Sequence, residues 1–198
     1  DMGFAGVLVP EGHGGSGFGY VGAGLIQEAI GRNLSLSPML STAILAATAL
    51  LVGGTDEQKA NYLPKIASGD LLMALASDEK SRHTPNHVAT TAAASGNGFK
   101  LNGTKSFVLD GHVADKLIVA ARTSGADGDT DGITLFLVDP KAAGVSIAKQ
   151  SMVDSRNAAK VVLNDVQVDG ADVLGGVGND QISGGSGRDV IVGDGGEG

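Results

Sequence analysis

The 198-residue chain has no cysteine and no tryptophan, and aromatic residues make up only 4% of it. Without cysteine it can form no disulfide, no thiolate metal site and no cysteine nucleophile. Lys and Arg number 14 against 22 Asp and Glu, which gives a formal net charge of -8, and no basic cluster occurs. This charge balance disfavours both a nucleic-acid partner and an anionic membrane surface.

Long apolar segments are also missing. The most apolar stretch, residues 39–52, is shorter than the roughly 20 residues that a transmembrane helix needs, and it contains Ser41, Thr42 and Thr48. A buried core helix is therefore the better interpretation. No signal-peptide pattern opens the chain, and because residue 1 is Asp1 rather than Met we expect residues upstream to be missing.

The short motifs of common catalytic sites are absent as well. There is no G-x-S-x-G, no H-E-x-x-H and no phosphate loop ending in Gly-Lys-Ser/Thr. His83 and His87 have the spacing of a helical metal pair, but Pro85 between them interrupts such a helix. The G-x-G-x-x-G pattern in EGHGGSGFG lacks the acidic residue that a dinucleotide site needs about 20 residues later, so a glycine-rich turn is favoured.

The first 70 residues show helical patterns. Four apolar residues recur at the spacing of one helix face: Leu25, Ile26, Ala29 and Ile30. Thr55 followed by Gln58 forms a capping box, which predicts the start of another helix, and Pro64 is expected to end or kink that helix. We therefore expect a helical N-terminal domain over residues 1–70, incomplete at its start.

From residue 71 to residue 172 the pattern changes to strands. Runs rich in branched residues, such as KLIVAAR and ITLFLV, alternate with turn signals such as SGNG and SGADGDTDG. Helices and strands in separate blocks predict the α+β class rather than alternating βαβ units. The strand block predicts an antiparallel, barrel-like β middle domain.

Residues 173–198 form a third region, a glycine-rich repeat tail. GGVGNDQIS is followed directly by GGSGRDVIV and by an incomplete third copy. Gly175, Gly184 and Gly193 recur every nine residues, which is an internal repeat.

Several stretches of the chain resemble the acyl-CoA dehydrogenase family. These are VPEGHGGSG, GGTDEQKANYLPKIASGD and LNGTKSFVLDGHVADKLIVAAR, with a weaker fourth formed by GITLFLVDPKAAGVSI and NAAKVVLNDVQVDGADVLG. They follow the family's order and cover about residues 3–175, and the second and third are the specific ones. The resemblance implies that the glycine stretch closes a short strand-like run in the helical domain and is not the flavin site.

The resemblance implies an FAD-dependent oxidoreductase that dehydrogenates the α and β carbons of an acyl-CoA thioester. In such enzymes a base takes the α proton while hydride passes to the flavin. By position, Leu75, Ser77 and Asp78 fall in the first flavin-contacting segment, and Phe107 and Leu109 fall in the second. No catalytic residue is implied within this chain, because the family's catalytic glutamate lies in a C-terminal helical domain that no part of this sequence matches. The chain alone is expected to bind flavin poorly and to turn over nothing.

Both flavin segments depart from the family's pattern. Asp78, Glu79 and Lys80 stand where Thr-Glu-Pro is usual, and Phe107 and Leu109 stand where Trp and Thr are usual. Phenylalanine can still stack on an isoalloxazine ring, but leucine donates no hydrogen bond. The Asp78 carboxylate would disfavour a ring that becomes anionic on reduction.

The tail resembles the RTX calcium-binding nonapeptide, in which Asp carboxylates and backbone carbonyls bind Ca²⁺ between successive coils. The metal-site residues that this resemblance implies are Gly176, Gly178, Asp180, Gly185, Gly187 and Asp189. Two full repeats are too few to form a stable β-roll. A glycine-rich terminus without a bound metal is therefore the alternative.

Three functions from different classes stay open. The chain is part of an FAD-dependent acyl-CoA dehydrogenase, or a non-catalytic dehydrogenase-like partner subunit, or a calcium-binding exported protein. The first two predict a cytoplasmic chain and the third predicts export. The expected partners are an acyl-CoA substrate and either an electron-transfer protein or the missing C-terminal domain, with a homo-oligomer as a further expectation.

Overall fold

The N-terminal part of the chain folds into helices. These are α1 (Gly19–Arg32), α2 (Ala47–Gly53) and α3 (Asp56–Ser68), and a π-helical segment, Met39–Ala46, runs directly into α2. Short 3-10 turns precede α1 at Phe4–Gly6 and Glu11–His13. The computed structural model describes residues 3–175 and, for the backbone alone, residues 181–183 and 190–192.

The predicted capping box at the start of α3 is confirmed. The Gln58 amide donates to Thr55 Oγ1 (3.2 Å), and the Thr55 amide donates to Gln58 Oε1 (3.1 Å). The helix does not end at Pro64 but continues to Ser68. Gly69 then closes it with φ of 82°, a left-handed conformation that glycine adopts without a Cβ clash.

The Gln58 side chain also joins α3 to the far end of the β region. It is buried, and its Nε2 donates to the carbonyls of Ala171 (3.2 Å) and Val173 (2.8 Å). Its Oε1 accepts from the Gly175 amide at 3.2 Å. One side chain thus caps a helix and holds the segment that follows the last strand of the main sheet.

Gln58→Ala is expected to lower the free energy of unfolding by about 1–3 kcal/mol, because buried carbonyls lose their donor and the helix loses its cap. Urea denaturation followed by circular dichroism measures this. Asn61→Ala, an exposed change in the same helix, is the matched control and should stay within about 0.5 kcal/mol of the parent. Equal stability of the two variants would contradict the bridging role.

The predicted apolar face of α1 is only partly buried. Ile26 and Ile30 pack against a small core with Val7, Leu8 and Ala23. The four predicted residues line one surface of the helix, as expected, but Leu25 is 65% exposed and Ala29 is also exposed. None of the helices in the described part of the chain has the length and apolar character that a bilayer crossing requires.

The glycine stretch before α1 is a turn, as expected. Gly14 and Gly17 have φ of 80° and 61°, and the 3-10 turn Glu11–His13 lies within the stretch. Val7 and Val9 before it are buried but form bends rather than a strand. The stretch is followed by helix α1 but lacks the preceding strand that a dinucleotide-binding loop requires.

The β region forms one curled seven-stranded sheet. Its strands are β1 (Met73–Ala76), β2 (Thr91–Ser95), β3 (Gly98–Leu109), β4 (Lys116–Arg122), β5 (Ile133–Val138), β6 (Val145–Ser151) and β7 (Asn157–Asp169). The order is β1-β4-β2-β3-β7-β6. Strand β5 lies off this path and pairs with β4 on the edge opposite to β1. After β7, Val173 bridges back to Phe136 in β5, which curls the sheet toward closure. Separately, β8 (Gln181–Ser183) and β9 (Val190–Val192) form an antiparallel pair.

The sheet is mixed, so the prediction of an antiparallel domain is wrong on this point. Strand β1 runs parallel to β4, and β2 makes one parallel pairing with β4. Asp115 fixes the parallel start, because its carboxylate accepts from the Leu72 amide (2.9 Å) and its amide donates to the Leu72 carbonyl (2.8 Å). Turn signals indicate hairpins between consecutive strands, whereas β1 and β4 are separated by two others.

Two cores lie on either side of the sheet. One fills its concave interior and includes Leu101, Val119, Phe136 and Val161. The other packs helices α2 and α3 against the opposite face, with Leu50, Ile66, Ile118 and Leu137 among its members. Thr42 joins the helical part of the chain to the sheet, because its hydroxyl donates to the Met73 carbonyl (2.9 Å) and accepts from the Met73 amide (3.1 Å).

Candidate functional site

The two segments predicted to contact a flavin lie side by side. The Ser106 amide donates to the Asp78 carbonyl at 2.7 Å, so the residues after β1 lie against the end of β3. All five predicted residues are partly or fully accessible: Leu75, Ser77, Asp78, Phe107 and Leu109. The structure therefore joins segments that are about thirty residues apart in the sequence into one surface.

Lys105 and Glu79 form a buried ion pair beneath this surface. Lys105 Nζ lies 2.6 Å from Glu79 Oε1 and donates to the Ser77 carbonyl at 3.2 Å. The Lys105 side chain has no exposure, and that of Glu79 is 9% exposed. Glu79 also accepts from the amides of Ala89 (2.8 Å) and Thr90 (3.0 Å), so its carboxylate has partners on both sides.

Burial and ion pairing shift the pKa values of both Glu79 and Lys105. Burial alone would raise the pKa of Glu79, but hydrogen bonds from Lys105 and Thr90 and the charge of Lys105 lower it below its ordinary value. Burial lowers the pKa of Lys105, against the opposing hydrogen bond and charge of Glu79. A depressed carboxyl pKa contributes stability that is fully present above the unfolded value and is lost as the pH falls through the folded value.

Acid is therefore expected to weaken the fold partly through Glu79. Stability should begin to fall near the ordinary Glu pKa of about 4.3 and continue to fall at lower pH. Urea denaturation over a pH series from about 6 to about 3 measures this, with Glu79→Gln as the variant that removes the titrating group. The variant should show a shallower decline below about pH 4.3. A slope identical to that of the parent chain would contradict the assignment.

The backbone at Phe107 is strained. Its φ is 55°, in the left-handed region that bulky residues rarely adopt, and its amide donates to Gln150 Oε1 at 3.2 Å. The pairing of β3 with β7 shifts register between Lys105 and Val108, which is a β-bulge. Bulges and strained residues cluster at functional sites, and in this strand they leave the Phe107 side chain 40% exposed.

Gly103 marks a second register shift in β3. A Cβ at this position would lie 2.3 Å from Thr90 Oγ1, so only glycine allows β3 to pass this close to Thr90. Two residues later comes the buried Lys105, so this part of β3 combines a backbone position that needs glycine with a buried lysine.

Asp78 and the two histidines have separate partners. His83 Nδ1 lies 2.9 Å from Asp78 Oδ1, whereas His87 Nδ1 lies 3.5 Å from the Asp127 carboxylate. The structure therefore does not bring His83 and His87 together as a metal pair. Within residues 3–175 there is no group of three or more His, Asp or Glu side chains that could hold a metal ion.

Leu109 and the following residue line a cleft between the helices and the sheet. The cleft lies between the end of α1 with the loop after it and the ends of β3 and β7, and Leu36, Leu40, Leu109, Asp110 and Arg156 are among its lining residues. The Ser41 hydroxyl donates to Asp110 Oδ2 at 2.6 Å, which fixes one wall of the cleft.

The loops around Glu79 are held by Arg122, which the sequence did not single out. Arg122 is 7% exposed and donates to five backbone carbonyls. These belong to Asn86, Val88, Ser124, Asp129 and Asp131, at distances of 2.8–3.4 Å. The guanidinium therefore ties the segment that Glu79 anchors to the acidic loop between β4 and β5.

The predicted calcium residues of the tail lie outside the described residues. These are Gly176, Gly178, Asp180, Gly185, Gly187 and Asp189. Calcium binding by the tail stays a prediction.

The described surface suits the apolar side of a flavin ring. The exposed ring of Phe107 and the partly buried side chains of Leu75 and Leu109 offer aromatic and aliphatic contact area. Leu109 supplies no hydrogen-bond donor where the family usually has Thr, and the Asp78 carboxylate is already in contact with His83. The residues therefore fit stacking on the ring and leave its hydrogen bonding to other groups.

Comparison with known proteins identifies the two domains of the chain. Residues 1–70 match the model of the acyl-CoA dehydrogenase N-terminal domain, and residues 73–166 match that of the acyl-CoA dehydrogenase middle domain. A 3-(aryl)acrylate reductase of Clostridium sporogenes is 35% identical over 180 residues, which cover 87% of this chain and 47% of that protein. The mitochondrial isovaleryl-CoA dehydrogenase of Pongo abelii is 32% identical over 182 residues, with coverages of 88% and 43%.

Solved structures show the same partial overlap. The ChsE4-ChsE5 complex from Mycobacterium tuberculosis matches with a TM-score of 0.77 at 31% identity, covering 89% of this chain and 46% of that chain. A glutaryl-coenzyme A dehydrogenase in complex with glutaryl-CoA matches with a TM-score of 0.78 at 26% identity, with coverages of 88% and 46%. The chain thus spans about half the length of the curated relatives that it matches.

Proposed function

The chain carries the N-terminal and middle domains of the acyl-CoA dehydrogenase family, and we propose that they form one face of the flavin site of an FAD oxidoreductase acting on an acyl-CoA thioester. The observation that carries the proposal is the hydrogen bond from Ser106 to Asp78, which joins the two flavin segments into one surface. FAD accepts a hydride equivalent when bound in such a site.

The residues of this chain hold and orient the cofactor. Phe107 provides the stacking ring, and Leu75 and Leu109 exclude water from its edges. Ser77 presents a hydroxyl next to the ring, whereas the Asp78 carboxylate contacts His83. We place the general base that takes the α proton in the family's C-terminal domain, because such a base must reach the substrate by a hydrogen bond. Among the described residues, the carboxylates of Asp78 and Glu79 already have partners in His83 and Lys105.

The proposal also includes further protein. Helix α1 and the residues on either side of it expose five large apolar side chains, each 65% exposed or more: Phe18, Val21, Leu25, Leu34 and Leu36. Exposed apolar surface of this kind is typical of interfaces. Two of the similar proteins are named as parts of complexes, ChsE4-ChsE5 of Mycobacterium tuberculosis and the caffeyl-CoA reductase-Etf complex subunit CarC of Acetobacterium woodii. We place the C-terminal domain or a partner chain on this surface, in a cytoplasmic enzyme.

An FAD titration of the purified chain tests the proposal. Binding is followed by quenching of flavin fluorescence and by the change in the flavin absorbance bands. We expect weak but saturable binding, since this chain provides only one face of the site. The absence of binding at high micromolar FAD would favour the second candidate, a non-catalytic partner subunit, which Leu109 and Asp78 at the polar positions support.

Leu109→Thr is expected to tighten FAD binding about three- to tenfold, because a hydroxyl adds one hydrogen bond where the family usually has Thr. Leu109→Val is the matched control, since Val has nearly the shape of Thr without the hydroxyl. The ratio of the two dissociation constants isolates the hydrogen bond from the change in side-chain size. Equal affinity of the two variants would show that residue 109 does not face the polar edge of the ring.

A further inference from the structure

Lys105 occupies an unusual position between the two flavin segments. It is a fully buried lysine, and its ammonium contacts the Ser77 carbonyl and the Glu79 carboxylate on one segment. On its own strand it directly precedes Ser106, whose amide donates to the Asp78 carbonyl. Three consecutive residues of the first segment, Ser77 to Glu79, are thus held by Lys105 and its neighbour.

The same lysine lies at the start of the β-bulge that presents Phe107. Lys105 pairs with Val161 and Val108 pairs with Ala159, so two residues of β3 lie opposite one residue of β7. The amides of Ser106 and Phe107 are directed instead to the Asp78 carbonyl and to Gln150 Oε1. The position of the Phe107 ring therefore depends on where β3 leaves β7, and Lys105 is the last paired residue before that point.

Glu79 extends this arrangement to the other end of its loop. Its carboxylate accepts from the amides of Ala89 and Thr90, just before β2 begins at Thr91. The Thr90 carbonyl in turn accepts from the Arg122 amide on β4 at 2.7 Å. The pair is thus connected to the rigid sheet at both ends.

We propose that Lys105 is a positioning residue of the candidate flavin site, which couples the Ser77–Asp78 segment to Phe107 through Ser77, Glu79 and the bulge. This inference rests on the proposed function and assigns the flavin as the ligand. A buried ion pair is often replaceable by apolar residues without loss of stability. Its directional contacts fix one geometry, and a binding surface made from two segments needs its geometry fixed to well within an ångström.

The double variant Lys105→Met with Glu79→Gln tests the coupling. It removes both charges and keeps one side-chain oxygen, which can accept from one of the two amides that Glu79 serves through separate oxygens, Ala89 or Thr90. No unpaired carboxylate remains buried. FAD affinity is measured together with stability in urea. We expect stability to recover relative to Lys105→Met alone, while FAD binding stays roughly tenfold weaker than in the parent, within the range of couplings between contacting residues. Lys149→Met, an exposed lysine on β6, is the control and should bind FAD like the parent.

A second readout needs no flavin. Because the chain has no tryptophan, Phe107→Trp provides a single fluorescent reporter within the bulge. In this background the double variant should shift the emission maximum. Acidification that protonates Glu79 should also shift it, at a pH where the helical circular dichroism signal is still intact. Lys105, Glu79, Asp78 and His83 are the titratable groups near this point. Glu79→Gln should abolish the acid shift if Glu79 is its source.

The outcomes separate the two proposals. If the parent chain binds no FAD but the reporter shifts, the proposed function fails and the coupling by Lys105 stands. If the parent binds FAD and the stable double variant binds it equally well with unchanged emission, Lys105 has only a structural role and the inference is overturned. An acid shift that persists in Glu79→Gln would likewise exclude coupling through this pair.

Discussion

Lys105→Met is expected to lower the free energy of unfolding by about 3–5 kcal/mol. The methionine fills most of the volume of the lysine stem, but the Glu79 carboxylate stays buried without its counter-charge and the Ser77 carbonyl loses a donor. Removing one partner of a buried pair is more damaging than removing both, because the remaining charge is poorly solvated. Urea denaturation at neutral pH, followed by circular dichroism, gives the difference.

The comparison between single and double variants is decisive for this interpretation. Lys105→Met combined with Glu79→Gln should be more stable than Lys105→Met alone, although it carries one more substitution. Lys149→Met controls for the loss of a lysine at an exposed strand position and should change stability by less than about 0.5 kcal/mol. Additive losses in the double variant would show that the two residues do not act as a pair.

Local sequence signals predicted the structural features that depend on residues close together in the sequence. The capping box at Thr55 and Gln58 and the change from helices to strands near residue 71 were both readable, because they arise within a few residues. The second role of Gln58, its bonds to Ala171, Val173 and Gly175, was not readable, because these residues are more than a hundred positions away.

Long-range pairing explains the larger errors. The parallel pairing of β1 with β4 depends on Asp115 and Leu72, which no turn motif connects. On helix α1 the apolar pattern identified Leu25 as part of a face but could not show which elements would cover it. Periodicity reports the chemistry of a surface, whereas burial depends on what the rest of the protein places against it.

The candidate site was predicted in part. The resemblance assigned Leu75, Ser77, Asp78, Phe107 and Leu109 to one cofactor, and the structure places their two segments side by side. The buried residues beneath them were missed, because a lysine in a strand is usually exposed. The glycine two residues before Lys105 in the third stretch was the available signal, since close backbone approach requires glycine at residue 103.

Arg122→Met is expected to be the other strongly destabilising substitution, with a loss of about 3 kcal/mol. The guanidinium donates to carbonyls of two separate segments, residues 86–88 and residues 124–131. Without the guanidinium these carbonyls must accept hydrogen bonds from water, which opens the loop whose other end is held by Glu79. Urea denaturation measures the loss, and limited proteolysis with mapped cleavage sites should show new cuts in these two segments.

Arg122→Lys distinguishes the shape of the guanidinium from its charge. A lysine keeps the positive charge but has a compact ammonium with three donors, whereas the planar fork of arginine presents five. We therefore expect Arg122→Lys to recover less than half of the stability lost in Arg122→Met. Arg156→Met, which removes an exposed arginine beside Asp154, is the control and should stay within about 0.5 kcal/mol of the parent. Full recovery in Arg122→Lys would mean that charge alone holds the two loops and that the directions of the five carbonyl bonds do not matter.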